Sequence, residues 1–115
     1  MAVVPSVLGR KANPGTSYAN ISTGSVPTGR QWQLAGIWVA CSGGTNNFFI
    51  AHVPNGGSAG DATNMVFGGS LSNGSASGSI GAGMILNSGD AMAIRDTGGT
   101  GTIIATMYGV EFPVP

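Results

Sequence analysis

The sequence predicts one all-β domain, an antiparallel β-sandwich of seven to eight short strands. Bulky apolar residues come in short runs about 8–12 residues apart, and the residues between them are typical of turns. Among the 115 residues are 21 glycines and 6 prolines. A chain of this length fits one core and leaves no room for a second. No stretch has a helical period with caps, so the crossover helices of a parallel sheet are not predicted.

The predicted strands follow one another between turn signals. Residues 1–16 contain Pro5 and Pro14 and have little periodicity, so they predict an extended N-terminal arm before a single domain at 17–115. The strands at 30–40 and 47–53 flank Gly43 and Gly44 and predict a hairpin. The other strands are predicted at 18–21, 64–67, 79–86, 91–95 and 102–112, and a turn of helix is allowed within 59–66.

Two of these strands are apolar on both faces. In the strand at 30–40, Trp32, Leu34 and Trp38 are predicted to share one face, while its second half and the strand at 47–53 have no polar face. In an antiparallel sandwich, one face of a strand packs on the core and the other usually meets water. The preferred interpretation is burial against another subunit, most simply in a homotrimer. The alternative is a loop folded over the sheet.

Composition argues against several classes of partner. Only 7% of the residues are charged and the formal net charge is zero, whereas about 25% is usual. Four basic residues make no clustered surface for nucleic acid. The longest apolar stretch is far below the roughly 20 residues of a membrane helix. A neutral chain tolerates close neighbours, since freely diffusing proteins usually keep their net charge away from zero.

The cysteine count and the N-terminus bear on where the protein is made. Cys41 is the single cysteine, so no internal disulfide is expected, which suits synthesis in the cytoplasm. The first residues lack a basic segment followed by a long apolar run, and we therefore expect no export by a signal peptide.

No motif predicts catalysis. His52 is the one histidine and lies within an apolar strand, so a structural role is expected. The segment Gly56-Gly-Ser-Ala-Gly60 matches G-x-S-x-G, but that motif requires a strand-to-helix turn in a larger fold. The acidic residues lack the grouping of a metal site, although a calcium ion on a symmetry axis stays open. Asp90 is expected to accept hydrogen bonds from backbone amides in its own turn. We expect no enzyme activity, cofactor or metal site.

Four segments between residues 26 and 112 resemble small bacteriophage virion proteins. They are the turn Val26-Pro-Thr-Gly29 before a Trp/Ile-rich strand, and the strands NNFFIAHVP, ILNSGDAMAI and GTIIATMYGVEF. The similar proteins are capsid cement (decoration) proteins and neck or tail accessory proteins. Their resemblance implies a β-sandwich that is jelly-roll-like, and it implies trimers.

The function expected from these observations is that of a non-enzymatic structural virion protein that binds and stabilises a phage capsid. Its partners would be copies of itself and the major capsid protein or another virion protein. The alternative is a tail, neck or fibre module that binds a receptor or glycan through loops 54–62 and 68–79. An enzyme is the weakest of the three hypotheses.

The candidate interface residues fall into two groups. Those of the arm would pair with a neighbouring sheet edge by strand addition, and the aromatic residues are expected in the core or at a subunit interface, rather than in a sugar platform. The candidates are Val3, Val4, Pro5, Val7, Leu8, Arg10 and Lys11 in the arm, and Trp32, Trp38 and Phe49 in the strands.

Overall fold

The computed structural model describes residues 5–22 and 24–114. In this part of the chain the protein is all-β, with two antiparallel sheets packed together, as predicted. There is no helix within the described residues, so the turn of helix allowed within 59–66 was wrong. The strands are β1 (Ser6–Ala12), β2 (Ala19–Asn20), β3 (Arg30–Ser42), β4 (Thr45–Val53), β5 (Met65–Ser72), β6 (Ala76–Ile80), β7 (Ile85–Leu86), β8 (Ala91–Gly99) and β9 (Thr102–Pro113).

The nine described strands are divided between two sheets, which we call sheet A and sheet B. Sheet A has the order β1-β9-β3-β6, with β7 also paired to β3, and sheet B has the order β2-β8-β4-β5. Strands from opposite ends of the chain are therefore neighbours, since β1 pairs with β9 and β2 pairs with β8. Most consecutive strands lie in different sheets, which closes the sandwich around one core.

The hairpin predicted at Gly43 and Gly44 was wrong. β3 lies in sheet A and β4 in sheet B, so these consecutive strands are not paired. A Cβ atom on Gly44 would lie 2.3 Å from the Thr100 hydroxyl oxygen. The turn therefore crosses between the sheets against the β8–β9 connection. Two adjacent glycines suit a hairpin and a crossing equally well, and the sequence pattern does not separate them.

The predicted free arm is, over residues 6–12, the edge strand of sheet A. β1 pairs with β9 from Ser6 opposite Gly109 to Ala12 opposite Ile104. The boundary at residue 16 therefore does not separate an arm from the domain in this region. The alternation of β1 is hidden by a β-bulge between Val7 and Gly9, which breaks the two-residue period.

The core lies between the two sheets. Sheet A contributes alternate residues of β9, so the two faces predicted for 102–112 are confirmed, with Ile103, Ala105 and Met107 buried. The largest completely buried side chain is that of Phe48 in sheet B. Others that fill the core are Leu34, Ile37, Ile50, Leu86, Met92 and Ile94.

A β-bulge in β3 reverses the two faces of this strand. Leu34 pairs with Gly109 and Gly36 with Tyr108, so Ala35 is an extra residue. Trp32 is 7% exposed, but Trp38, beyond the bulge, is 40% exposed. The prediction that these tryptophans share a face was wrong, because one inserted residue shifts all following side chains to the other face.

Gly36→Ala is expected to destabilise the protein by about 1–3 kcal/mol, the usual cost of a strained backbone position. Gly36 has a φ of 151°, and a Cβ atom there would lie 2.8 Å from Ser79 Cα. The matched control is Gly24→Ala, because a Cβ atom at Gly24 meets nothing within 4 Å. Urea unfolding of both variants measures the difference. Equal stability of the two variants would contradict the role given to Gly36.

Candidate functional site

His52 and Asp90 form a structural pair. The His52 Nε2 atom lies 3.2 Å from Asp90 Oδ2. Asp90 also accepts hydrogen bonds from the backbone N–H groups of Asn87 and Asn55, each at 2.9 Å. The bond from Asn87 confirms that Asp90 bonds an amide in its own turn. Partial burial opposes the charged form, but these hydrogen bonds outweigh it and hold the pKa of Asp90 below its ordinary value.

Other polar groups form hydrogen bonds that stabilise loops. Asp96 accepts hydrogen bonds from the Asn46 side-chain amide and from the backbone N–H of Gly98. Ser58, in the G-x-S-x-G segment, lies in a loop where its carbonyl accepts a hydrogen bond from Asn64 Nδ2 at 2.8 Å. Within residues 5–22 and 24–114, no three metal-binding side chains are grouped.

The outer face of sheet A is apolar and uncovered. Val7 is 51% exposed, Trp38 40% and Ile104 37%. An open groove of about 520 Å³ runs over β3 and β9 on this face. Its lining includes Pro5, Trp38, Ala40, Ile104 and Tyr108. We call this surface the apolar face. It includes Pro5, Val7 and Trp38 from the residues that the sequence predicted.

Trp38 is held in place at the centre of the apolar face. Its ring packs edge-on against Tyr108, with centroids 5.4 Å apart and an interplanar angle of 87°, a favourable aromatic geometry. A Cβ atom on Gly78 of β6 would lie 2.2 Å from Trp38 Nε1. The indole therefore lies directly against the backbone of β6, and only a glycine leaves room for it.

The apolar face has little charge. Arg10 lies at its border, on β1, and its Nε donates a hydrogen bond to the Thr106 hydroxyl at 3.2 Å. The residues that line the groove carry no carboxylate and no basic group. This surface is therefore suited to an apolar, uncharged partner surface.

Loop 54–64 covers the outer face of sheet B. Ala51 and Ala93 belong to that face, yet they are 0% and 2% exposed. Asp61 in the loop forms an ion pair with Arg95 of β8, and the Arg95 guanidinium carbon lies 4.7 Å from the centroid of the Phe49 ring. A loop folded over the sheet thus explains the second apolar face of β4. The second apolar face of β3 has no such cover within the described residues.

Tyr18, Asp61 and Arg95 form a polar cluster beside this loop. The Tyr18 hydroxyl donates to Asp61 Oδ1 at 2.6 Å, and Arg95 Nε donates to the same oxygen at 3.1 Å. The hydrogen bonds from Arg95 and Tyr18 lower the pKa of Asp61. Burial and the neighbouring carboxylate raise the pKa of Tyr18 to about 12. Next to the cluster is a cleft of about 480 Å³ between β2, β8 and loop 54–64.

The remaining predicted residues have separate roles. Trp32 is buried and its Nε1 donates to Glu111 Oε1 at 2.9 Å, so it belongs to the core alternative and not to the interface alternative. Leu8 packs against the core, and Lys11 is half-buried opposite Ala105 on β1. Val3 and Val4 lie outside the described residues.

The sequence interpretation missed Tyr18, Asp61 and Arg95. They come from separate segments of the chain, and no local pattern connects them. Ile104 and Tyr108 were not among the candidates either, although their alternation along β9 was a usable signal.

Comparison with known proteins gives no match to a family model and none to a curated protein. Over the residues that the structure describes, no helix has the length and apolar character to cross a membrane.

Asp90→Asn is expected to lower the free energy of unfolding by about 1–3 kcal/mol at neutral pH, because a buried hydrogen bond is lost. The folded-state pKa of Asp90 is depressed, so its contribution is complete above the unfolded value of about 3.9 and is lost as pH falls through the folded value. Unfolding curves measured from pH 7 to below pH 3 should therefore converge for the two proteins. A constant difference across this range would contradict the prediction.

Proposed function

We propose that the protein is a non-enzymatic structural virion protein that binds and stabilises a phage capsid as a homo-oligomer, most simply a homotrimer. The observation that carries this proposal is the uncovered apolar face of sheet A. A surface of this kind is typical of a protein that functions with a neighbour seated on it.

The exposed apolar side chains are concentrated on this one side. Eight large apolar residues are exposed in the described part of the chain. The strand pairings assign five of them to the outer face of sheet A, where Ile85 is opposite Gln33 and Phe112 is opposite Gln31. These five are Val7, Trp38, Ile85, Ile104 and Phe112.

The size of the face supports a stable contact. β3 has 13 residues, which span about 40 Å, and four strands about 4.8 Å apart span about 15–20 Å. β1 has 7 residues, and β6 and β7 have 5 and 2, so the face covers about 600 Å², at the lower end of the roughly 600–1,000 Å² per partner of a standard protein interface.

The charges favour copies of the same chain as neighbours. Arg10 is the charged residue at the border of the groove, and the net charge of the chain is zero. Another copy of the chain therefore approaches this face without meeting a cluster of like charges. An oligomer also attaches to a repeating shell through several weak contacts, which gives avidity without strong single sites.

The capsid contact is assigned to the edge of sheet A. β1 is the last strand of that sheet, so its outer edge has backbone groups available to a strand of the major capsid protein or another virion protein. This replaces the free arm expected from the sequence with a strand already aligned in the sheet.

Ile104→Lys is expected to convert the oligomer to a monomer, because the charge is introduced into the apolar face. Val66→Lys is the matched control, since Val66 is also exposed, at 46%, but lies on β5 of sheet B. The chain mass is 11.4 kDa, and light scattering distinguishes one copy from three. A monomeric wild type, or an oligomer that survives Ile104→Lys but not Val66→Lys, would contradict the assignment of the face.

Capsid binding has its own test. The purified protein is mixed with phage particles that lack accessory proteins, and co-sedimentation and resistance to heating are measured. The proposal predicts saturable binding and a higher temperature of particle disruption, with both effects reduced in Ile104→Lys and retained in Val66→Lys. Absence of binding by the wild-type oligomer to heads, and likewise to tails, would refute the virion role.

A further inference from the structure

We propose that the cleft between β2, β8 and loop 54–64 binds an uncharged sugar residue of a glycan. This site lies on sheet B, opposite the apolar face, and does not depend on the capsid role. Its volume of about 480 Å³ is within the usual range of small-molecule sites, roughly 300–1,000 Å³.

The walls of the cleft present polar side chains that form no hydrogen bond with another described residue. Thr16, Ser17, Asn20 and Ser58 line it and are exposed. Their side-chain hydroxyl and amide groups form no hydrogen bond with any residue in the described part of the chain. Each hydroxyl both donates and accepts, and an amide does the same with its two ends. Sugar hydroxyls need such a set of mixed donors and acceptors.

The floor and one wall are apolar. Val53 and Ala59 line the cleft together with Gly57, and the buried Ala93 lies beneath them. Tyr18 contributes an aromatic wall. A sugar ring combines hydroxyls at its edge with C–H groups on its faces, so it matches polar walls beside a small apolar floor and an aromatic ring.

The charges of the polar cluster select a neutral ligand. Arg95 is neutralised by its ion pair with Asp61, so the cleft has no uncompensated positive charge for a phosphate or carboxylate. Of the five N–H groups of a guanidinium, Arg95 uses two on Asp61. The others remain available at the edge of the cleft for hydroxyl oxygens.

The side chains at the rim of the cleft are connected by hydrogen bonds before a ligand binds. Tyr18, Asp61 and Arg95 hold each other by hydrogen bonds, and Arg95 also packs on the Phe49 ring. Fixed side chains lose little conformational entropy on binding. Asp61 is the one carboxylate in this cluster, and the lining has none. Most glycoside hydrolases use a pair of carboxyl groups, so we assign the site to binding.

The loop pattern in the sequence pointed to part of this site. Loop 54–62 was considered for glycan binding, but it lacks aromatic and charged residues apart from Asp61. The fold supplies them from elsewhere, because Tyr18 precedes β2 and Arg95 lies on β8. The aromatic ring and the guanidinium therefore reach the loop only in the folded chain.

The test is titration of the ¹⁵N-labelled protein with methyl glycosides of glucose, galactose, mannose and N-acetylglucosamine, and with short oligomers of each, followed by NMR. The expected result is saturable shift changes at Tyr18, Asn20 and Ser58 for at least one of these probes. A single sugar site is expected to have a Kd in the millimolar range, about −4 kcal/mol. Multiple copies on a particle would raise the effective affinity.

Asn20→Ala is expected to raise the Kd of the probe about five- to tenfold, because one hydrogen bond to the sugar is removed. Asn47→Ala is the matched control, because Asn47 is another exposed asparagine on a strand of sheet B. The oligomeric state and capsid binding of Asn20→Ala should equal those of the wild type, so this test is independent of the proposed function.

Three results would overturn the sugar site. The first is an absence of shifts for every probe up to roughly 50 mM, where a site with a Kd of about 10 mM would be mostly filled. The second is shifts confined to residues outside the cleft. The third is tighter binding of glucuronate or glucose 6-phosphate than of the neutral glycosides, which would make the site an anion site.

Discussion

The extra residue in β3 sets the character of both faces of sheet A. β3 is the inner strand that joins β9 to β6 and β7. Before the bulge at Ala35, Trp32 and Leu34 are turned into the core, and after it Ile37 and Val39 take over. The core thus receives apolar side chains along the whole strand, and Trp38 is directed outward. The indole needs space on the outer face, which Gly78 on β6 provides. The apolar face therefore depends on a backbone irregularity as much as on composition.

The outer face of sheet B is covered by a loop of the same chain. Loop 54–64 is fastened at its start, where Asn55 donates to Asp90, and at its end, where the His52 backbone N–H donates to the Asn64 carbonyl at 3.0 Å. The Asp61–Arg95 ion pair holds its middle. The loop buries the small residues Ala51 and Ala93 and leaves a polar cleft at its side. The two outer faces of the sandwich are consequently different in kind. One is broad and apolar, and the other is covered and carries a small polar cavity.

Features that depend on local sequence patterns were predicted correctly, and features that depend on distant parts of the chain were not. Alternation and turn signals are local, so the all-β class, the two faces of 102–112 and the role of Asp90 were predicted correctly. The bulges in β1 and β3 were not, because a bulge adds one residue without a distinctive sequence and then reverses the pattern. The β3–β4 crossing was missed since short glycine turns serve both within and between sheets. Of the residues on the apolar face, Pro5 and Val7 were candidates as part of the N-terminal arm, and Trp38 was a candidate as an aromatic strand residue. Tyr18, Asp61 and Arg95 were not found, because only the tertiary fold brings them together.

The nested strand order has a consequence for the newly made chain. Ser6 pairs with Gly109, so β1 cannot pair until about 100 further residues have been synthesised. At 5–20 residues per second this takes roughly 5–20 s. Until then β1 and β3 both lack β9. Sheet A therefore cannot close before β9 has been made, and the edges of β1 and β3 stay unpaired until then, which is a hazard for aggregation.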